Sequence, residues 1–441
     1  MALEVRRHGS FGSPSSQGPG HRSLLRQPDP EARGLKVGLS SCRLDLSRGV
    51  PHDRFYCSHS TNWRANQYIR SSDRISEVNM VQTPSHEESL FGSPHLLSVE
   101  QFTIDSINEL FRIADLLQPV ARRQKVCRVL EGALLANLFF EASTRTRISF
   151  GAAFCRMGGA VCDTTGFTFS SMSKGESIYD TSRVISGYVD AMVIRHPQQG
   201  AVADFARATN IPVINGGDGP GEHPSQALLD LYTIRNEFRR LKKDFKCFHI
   251  ALVGDLKRGR TVHSLFKLLA LYSDVRVTLV SPMSLKMPDA VLRSVGASSV
   301  RVDACSSLEG IKDADVVYAT RVQTERVNDG ETKESYSPDF QINASVIERY
   351  CKSDTVIMHP LPRDGRPEAN DLATDLNHDP RLAIFRQADC GIPIRMAIFA
   401  IVLGVTSYLT KEMREVRWAR PHQIGPDEAD FYNLSGDAAQ R

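Results

Sequence analysis

The sequence predicts an α/β protein of two doubly wound parallel-sheet domains behind a disordered N-terminal extension. Three observations carry that expectation. From Ser98 onward, short apolar runs alternate with helical patterns, the texture of parallel strands joined by crossover helices. The alternation halts at a polar, basic stretch, Arg239–Lys246, and then restarts. A chain of 441 residues with 41% hydrophobic content is also too long for one core, because single cores stop growing near roughly 250–300 residues.

Residues 1–92 are rich in Ser, Gly, Pro and Arg and show neither helical nor strand periodicity, so they cannot bury enough apolar surface to order themselves. They read as a dispensable tail, or as sequence upstream of a start at Met80. A transit peptide is the other reading, opposed by Glu4, Asp29, Glu31, Asp45 and Asp53. The first domain, 93–238, supplies strands at Ala133–Phe140, Ala160–Asp163, Asp190–Ile194 and Ile211–Ile214. Helical patterns lie between and after them, at Ser177–Val189, Val202–Ala208 and Gln226–Phe238. Arg239–Lys246 is then a domain boundary or the solvated end of one long helix. The second domain, 239–391, supplies strands at Phe248–Val253, Arg276–Val280, Ser299–Val302, Ala314–Tyr318 and Thr355–Met358. Gly391–Leu409 is the most apolar stretch, but Arg395 and Gly404 interrupt it, leaving about half of a membrane span. It reads as a buried helix over about 392–410 that completes the first domain, with 411–441 as a tail. In an open parallel sheet the ligand cleft is expected beyond the C-terminal ends of the strands.

Composition removes several function classes. The charge balance is 54 basic to 51 acidic residues, with no basic cluster interleaved with aromatics, so a nucleic-acid groove is not expected. Nine cysteines occur without a C-x-x-C pair, which argues against zinc or redox chemistry and for inert thiols in a reducing compartment. No apolar signal core opens the chain and no segment reads as a membrane span. The expected location is the cytoplasm, with organelle targeting by the extension as the alternative.

The strongest chemical signal is Phe139-Phe140-Glu141-Ala142-Ser143-Thr144-Arg145-Thr146-Arg147, placed after a buried strand and opening a helical pattern. A helix N-terminus presents unpaired N–H groups and partial positive charge. With Ser143, Thr144 and Thr146 adding hydroxyls and Arg145 a bidentate guanidinium, this is a phosphate site. Taken alone, Ser143 would be an ordinary N-cap and the arginines solvated.

This segment resembles the carbamoyl phosphate loop of the aspartate and ornithine carbamoyltransferase family, with Ala142 where the family has proline. Arg195-His196-Pro197 matches the family's Arg-His-Pro, and implies that Arg195 touches carbamoyl phosphate. Gly221-Glu222-His223-Pro224-Ser225-Gln226 matches its His-Pro-Ser-Gln, which implies an oxyanion-type donor at His223 and a carbamoyl-orienting amide at Gln226. Ser170-Ser171-Met172-Ser173-Lys174-Gly175-Glu176 resembles the loop that family members insert into a neighbouring subunit's site, with Lys174 contacting phosphate and carboxylate. Either Ser170 or Ser171 is the matching serine. The resemblance spans about Leu97 to Leu409, in the family's motif order.

The acceptor is read from Gly254-Asp255-Leu256-Lys257-Arg258-Gly259-Arg260-Thr261 and Thr320-Arg321-Val322-Gln323-Thr324-Glu325-Arg326. Two arginines at separate strand ends suit a dicarboxylate, and Arg260, Arg321 and Gln323 match the family's aspartate ligands. The ornithine-type segments are absent; His359-Pro360-Leu361-Pro362-Arg363 occupies the corresponding C-terminal stretch. The resemblance implies that the Leu361 and Pro362 carbonyls hold the carbamoyl NH2. It further implies carbamoyl transfer to L-aspartate, an early step of pyrimidine biosynthesis, without metal or organic cofactor. Arg145, Thr146, Arg195, His223 and Lys174 would be the catalytic groups of a homotrimer with shared sites. A regulatory chain or a dihydroorotase is the candidate protein partner. The stretch Asp364–Asp375 is longer than the family's usual run and takes no assignment. Two rival classes are a dinucleotide-dependent dehydrogenase, which lacks its Gly-x-Gly-x-x-Gly after Phe248–Val253, and a catalytically dead scaffold, which would not need every ligand.

Overall fold

The computed structural model describes residues 90–166, 171–296, 300–321, 323, 338–366 and 371–418; the expected disorder of the extension falls on residues 1–89, outside that set. Phe91, at the expected end of the tail, is buried against Phe102, with ring centroids 5.1 Å apart. The chain runs through α1 (Ile104–Ala121), β1 (Lys125–Cys127), β2 (Leu134–Phe139), α2 (Thr144–Arg156) and β3 (Ala160–Thr165). It continues through α3 (Ile178–Ser186), β4 (Ala191–His196), α4 (Ala201–Arg207), β5 (Val213–Asp218) and α5 (Pro224–Leu241). A second series comprises β6 (Phe248–Val253), α6 (Arg260–Leu269), β7 (Val275–Val280), α7 (Asp289–Ser294), β8 (Arg301–Cys305) and β9 (Val316–Ala319). It closes with α8 (Ala344–Tyr350), β10 (Val356–Met358), α9 (Ile384–Val402) and β11 (Met413–Glu415).

The first sheet has the order β3-β2-β4-β5 and the second β10-β9-β6-β7-β8, with every pairing parallel. Strand order reverses between β2 and β4 in one sheet and between β6 and β9 in the other. These are the switch points where open α/β sheets hold ligands. The central strands bury both faces, because successive side chains point to opposite sides, whereas the edge strands β3 and β8 are largely exposed. Phe248, Ile250 and Leu252 of β6 enter the large core that also takes α1, α5 and α9, whereas Ala251 and Val253 enter a second core on the far face. Likewise Ala191 and Val193 of β4 face the large core, and Met192 and Ile194 a third.

Some boundaries shift. α5 continues to Leu241 and stops where Lys242 turns left-handed at φ 57°, so most of the basic stretch follows the helix end. The C-terminal helix starts earlier, at Ile384, and packs on α1, α2 and α5. Part of the expected C-terminal tail is a strand: β11 pairs antiparallel with β1, a three-residue ribbon too short to show periodicity. The helix α1 carries a capping box between Thr103 and Ser106 and buries Ile107, Leu110, Phe111, Ala114 and Leu117, which share one helical face.

Candidate functional site

At the first switch point β2 delivers Glu141 and then Ser143, the N-cap of α2, whose first turn carries Thr144, Arg145 and Thr146 and no acid. Ser143 makes no side-chain capping bond, so capping alone does not explain it. Arg147 turns away and pairs with Asp163 at 3.6 Å, a structural use. β4 ends in a register shift beside Ile194 and His196, and Arg195 lies there, 9% exposed. One Arg195 Nη donates to the Gly216 carbonyl at 3.3 Å; the other is 3.2 Å from a Glu141 carboxylate oxygen.

Arg260, the first residue of α6, arrives from the second switch point and approaches the same Glu141 oxygen at 3.4 Å. It also donates to the Gly219 carbonyl at 2.5 Å. Glu141 thereby gathers two buried guanidinium groups from different sheets. Gly217, at φ 131°, lies beneath them; a Cβ there would sit 2.8 Å from Arg195 Nη1 and 3.0 Å from Arg260 Nη2.

The loops after β6 and β9 are bound to each other. Buried Asp255 accepts the Arg258 N–H at 2.9 Å and the Gln323 N–H at 3.1 Å. Gly254, at φ 116°, lets the loops touch, since a Cβ would fall 2.2 Å from the Thr320 carbonyl oxygen. Arg321 leaves the end of β9 and faces Arg145 across the cleft. Partial burial and then the positive charge of Arg321 hold the Arg145 guanidinium below its ordinary range. Two like charges so placed favour an anion between them.

His223 is the N-cap of α5, with Pro224 at the first helical position, and its N–H donates to Ser264 of α6 at 3.2 Å. Gln226, one turn on, donates its Nε2 to Asp230 at 2.9 Å. Beyond β10, the Leu361-Pro362 peptide is cis and Leu361 is left-handed at φ 55°. The Leu361 N–H donates to His359 Nδ1 at 2.8 Å, so the proton resides on Nε2, which donates to Asp371 at 2.9 Å. Asp371 also accepts the Asp364 and Leu372 N–H groups, closing the unassigned 364–375 stretch on itself. Residues 367–370 of that stretch lie outside the described set.

The structure thus brings Ser143, Thr144, Arg145, Thr146, Arg195, His223, Gln226, Arg260, Arg321, Gln323 and the Leu361-Pro362 segment to strand C-terminal ends or helix N-termini of the two sheets. It does not bring in Lys174, which is exposed at the end of the short turn Ser171–Lys174 and, among the described residues, has no ion pair to this group. Ser170 lies outside the described residues. Sequence reasoning missed the acids Glu141, Asp230, Asp255 and Asp371, together with Gln387. Glu141 was inside the strongest motif, and Asp230 stands four residues after Gln226, the spacing of facing helix neighbours. Asp371 and Gln387 had no sequence signal, lying 12 and 28 residues from His359. Among the described residues no group of three His, Cys, Asp or Glu side chains is placed to hold a metal, and no helix is long and apolar enough to cross a membrane.

Residues 94–236 match the family model "Aspartate/ornithine carbamoyltransferase, carbamoyl-P binding domain". Residues 246–402 match "Aspartate/ornithine carbamoyltransferase, Asp/Orn binding domain". The chain is 54% identical over 343 residues to the aspartate carbamoyltransferase catalytic subunit of Dichelobacter nodosus, covering 77% of this chain and 98% of that one. It is 53% identical to the same-named subunit of Cellvibrio japonicus, over 74% of this chain and 97% of the relative. Among solved structures it resembles Trypanosoma cruzi aspartate transcarbamoylase in complex with carbamoyl phosphate and aspartate. That likeness has a TM-score of 0.64 and 38% identity, over 69% of this chain and 95% of the other. The M. Jannaschii catalytic subunit is similar at a TM-score of 0.63 and 38% identity, over 71% of this chain and 99% of the other. With both family models matched in order across the two sheets, the chain belongs to the aspartate/ornithine carbamoyltransferase family.

Proposed function

We propose that the chain transfers the carbamoyl group of carbamoyl phosphate to the amino group of L-aspartate, giving N-carbamoyl-L-aspartate and phosphate, an early step of pyrimidine biosynthesis. The observation that carries the reading is the convergence of Arg145, Arg195, Arg260 and Arg321 from both switch points on one cleft beside the α2 N-terminus. Such a set suits two polyanions held side by side. The curated relatives bear the name of this activity.

In this reading 93–238, completed by α9, binds carbamoyl phosphate, and 239–391 binds aspartate. The α2 N-terminus with Ser143, Thr144, Arg145 and Thr146 takes the phosphate, and Arg260, Arg321 and Gln323 take the two carboxylates. Gln226 and the Leu361 and Pro362 carbonyls accept from the carbamoyl NH2. The neutral amine attacks the carbamoyl carbon, and the carbonyl oxygen becomes an oxyanion facing Thr146, Arg195 and His223. The carbon–oxygen bond to phosphate then breaks, and the departing phosphate takes the amine proton. Holding both reactants in line replaces an encounter in solution, an effect worth several kcal/mol.

We infer a homotrimer with Lys174 supplied by a neighbour. Lys174 is exposed, and α3, which follows its loop, leaves Tyr179 and Val184 exposed, with Tyr188 just beyond it also exposed, apolar surface that a second copy would cover. The relatives' designation as catalytic subunits supports a further partner, a regulatory chain or a dihydroorotase. Free thiols at Cys127, Cys155, Cys162, Cys247, Cys305, Cys351 and Cys390 fit the cytoplasm. The test is a steady-state assay with carbamoyl phosphate and either aspartate or ornithine. Carbamoyl-aspartate as the dominant product is expected; preference for ornithine, or no product, overturns the reading.

A further inference from the structure

Beneath the cleft lies a polar group that no substrate reaches. Asp230, on α5, is fully buried. Its Oδ1 accepts Nε2 of Gln226 at 2.9 Å and Nε2 of Gln387, on α9, at 2.6 Å. Its Oδ2 accepts the Tyr318 hydroxyl, on β9, at 2.7 Å. The other end of the Gln387 amide accepts the His359 backbone N–H at 2.9 Å. Since a backbone N–H can only donate and an ionised carboxylate only accept, both ends of the Gln387 amide have one orientation. The same logic turns Gln226 so that its Nε2 faces Asp230 and its Oε1 faces outward.

We propose that Asp230 is a positioning residue that makes the carbamoyl-amide pocket a pure acceptor, by orienting Gln226 on one side and, through Gln387, the His359–Pro362 loop on the other. This rests on the carbamoyl phosphate reading above and adds to it the source of selectivity for an NH2 group. Gln226 Oε1 and the Leu361 and Pro362 carbonyls offer acceptors only. Carbamoyl phosphate presents its two N–H donors to these acceptors, whereas acetyl phosphate, with a methyl in that place, leaves all of them unpaired. Burial pushes the Asp230 carboxyl up to about 6, although bonds from Gln387, Tyr318 and Gln226 and the charge of Arg395 on α9 pull it down. The orientation follows from Oδ1 accepting both amides, whatever the charge on the carboxyl.

The test compares the KM for carbamoyl phosphate with the inhibition constant of acetyl phosphate, in wild type, Asp230→Leu and Asp230→Asn. Asp230→Leu frees both amides and should raise the KM about tenfold, the size of one lost polar contact, while the acetyl phosphate constant changes less than about twofold. Asp230→Asn retains an acceptor for the amides if its NH2 turns toward Tyr318, so its KM should rise only about threefold. A parallel rise for both ligands would assign Asp230 to the phosphate cradle or the fold and overturn the proposal; so would no change in either. Should Asp230→Leu not fold, Gln387→Leu, which removes the amide joining Asp230 to His359 but leaves the Asp230 bonds to Gln226 and Tyr318, must show the same NH2-selective loss. Failure of the underlying reading is separately visible, because wild type would then not turn over carbamoyl phosphate with aspartate.

Discussion

Replacing Asp230 by Asn is expected to stabilise the folded chain at neutral pH. Burial raises the carboxyl from 3.8 to about 6, with the bonds from Gln387, Tyr318 and Gln226 and the Arg395 charge opposing the rise. Ionisation is thus about 2 units harder in the fold than in the unfolded chain, and at about 1.4 kcal/mol per unit the charge costs about 3 kcal/mol. Because the folded state holds this proton more tightly, the cost is absent below about pH 3.8 and grows as pH rises to about 6. Above that it is constant. Asn keeps a neutral donor and acceptor in the same place, so it resembles the protonated acid at every pH. Urea denaturation followed by circular dichroism at pH 5 and pH 8 should show Asn the more stable, with the larger gap at pH 8. At a slope of about 3 kcal/mol per molar, the midpoint at pH 8 moves by about 1 M. A variant no more stable than wild type at pH 8, or a gap independent of pH, would refute the view that a charge is held here against its own burial. A carboxylate kept at such a cost is what a site residue, rather than a structural one, looks like.

Arg145→Ala should lower kcat by about 100- to 1,000-fold, since one preorganised charge-stabilising donor is worth about 3–4 kcal/mol, with circular dichroism unchanged; near-normal turnover would remove the α2 N-terminus from the mechanism. Inactive Lys174→Ala and inactive Arg321→Ala chains, dissociated and reassembled together, should recover activity, because a mixed interface pairs an intact Lys174 with an intact Arg321. No gain over the separate mutants, with mixed assembly verified by mass, would exclude a shared site. A chain lacking residues 1–79 should keep full activity, and a soluble but inactive truncation would make the extension functional.

Where sequence and structure agree, the information was local. The alternation of apolar runs with helical patterns located β6 to the residue and the other parallel strands to within about two residues at most ends, because a buried strand shows itself in its own few side chains. The ribbon of β1 and β11 carried no such mark, since three residues hold no period and its stability comes from pairing across almost 290 positions of sequence. The motifs at the strand ends were equally legible. Each follows a strand and opens a helix or loop, and the need for N–H groups, hydroxyls and guanidinium at one spot forces a compact run such as Ser143–Arg147.

The sequence by itself determined the fold class, the family and the arginines and hydroxyls that gather at the strand ends. Only the tertiary structure decided what holds them. Glu141 joins Arg195 to Arg260, Asp255 ties the loop after β6 to Gln323, and Asp230 reaches Gln387 across 157 positions. The physical reason is that a ligand group is recognised by donors on one loop, which leaves a contiguous motif. A buried charge must instead find partners wherever packing supplies them, and packing follows the order of strands in the sheets rather than the order of residues in the chain.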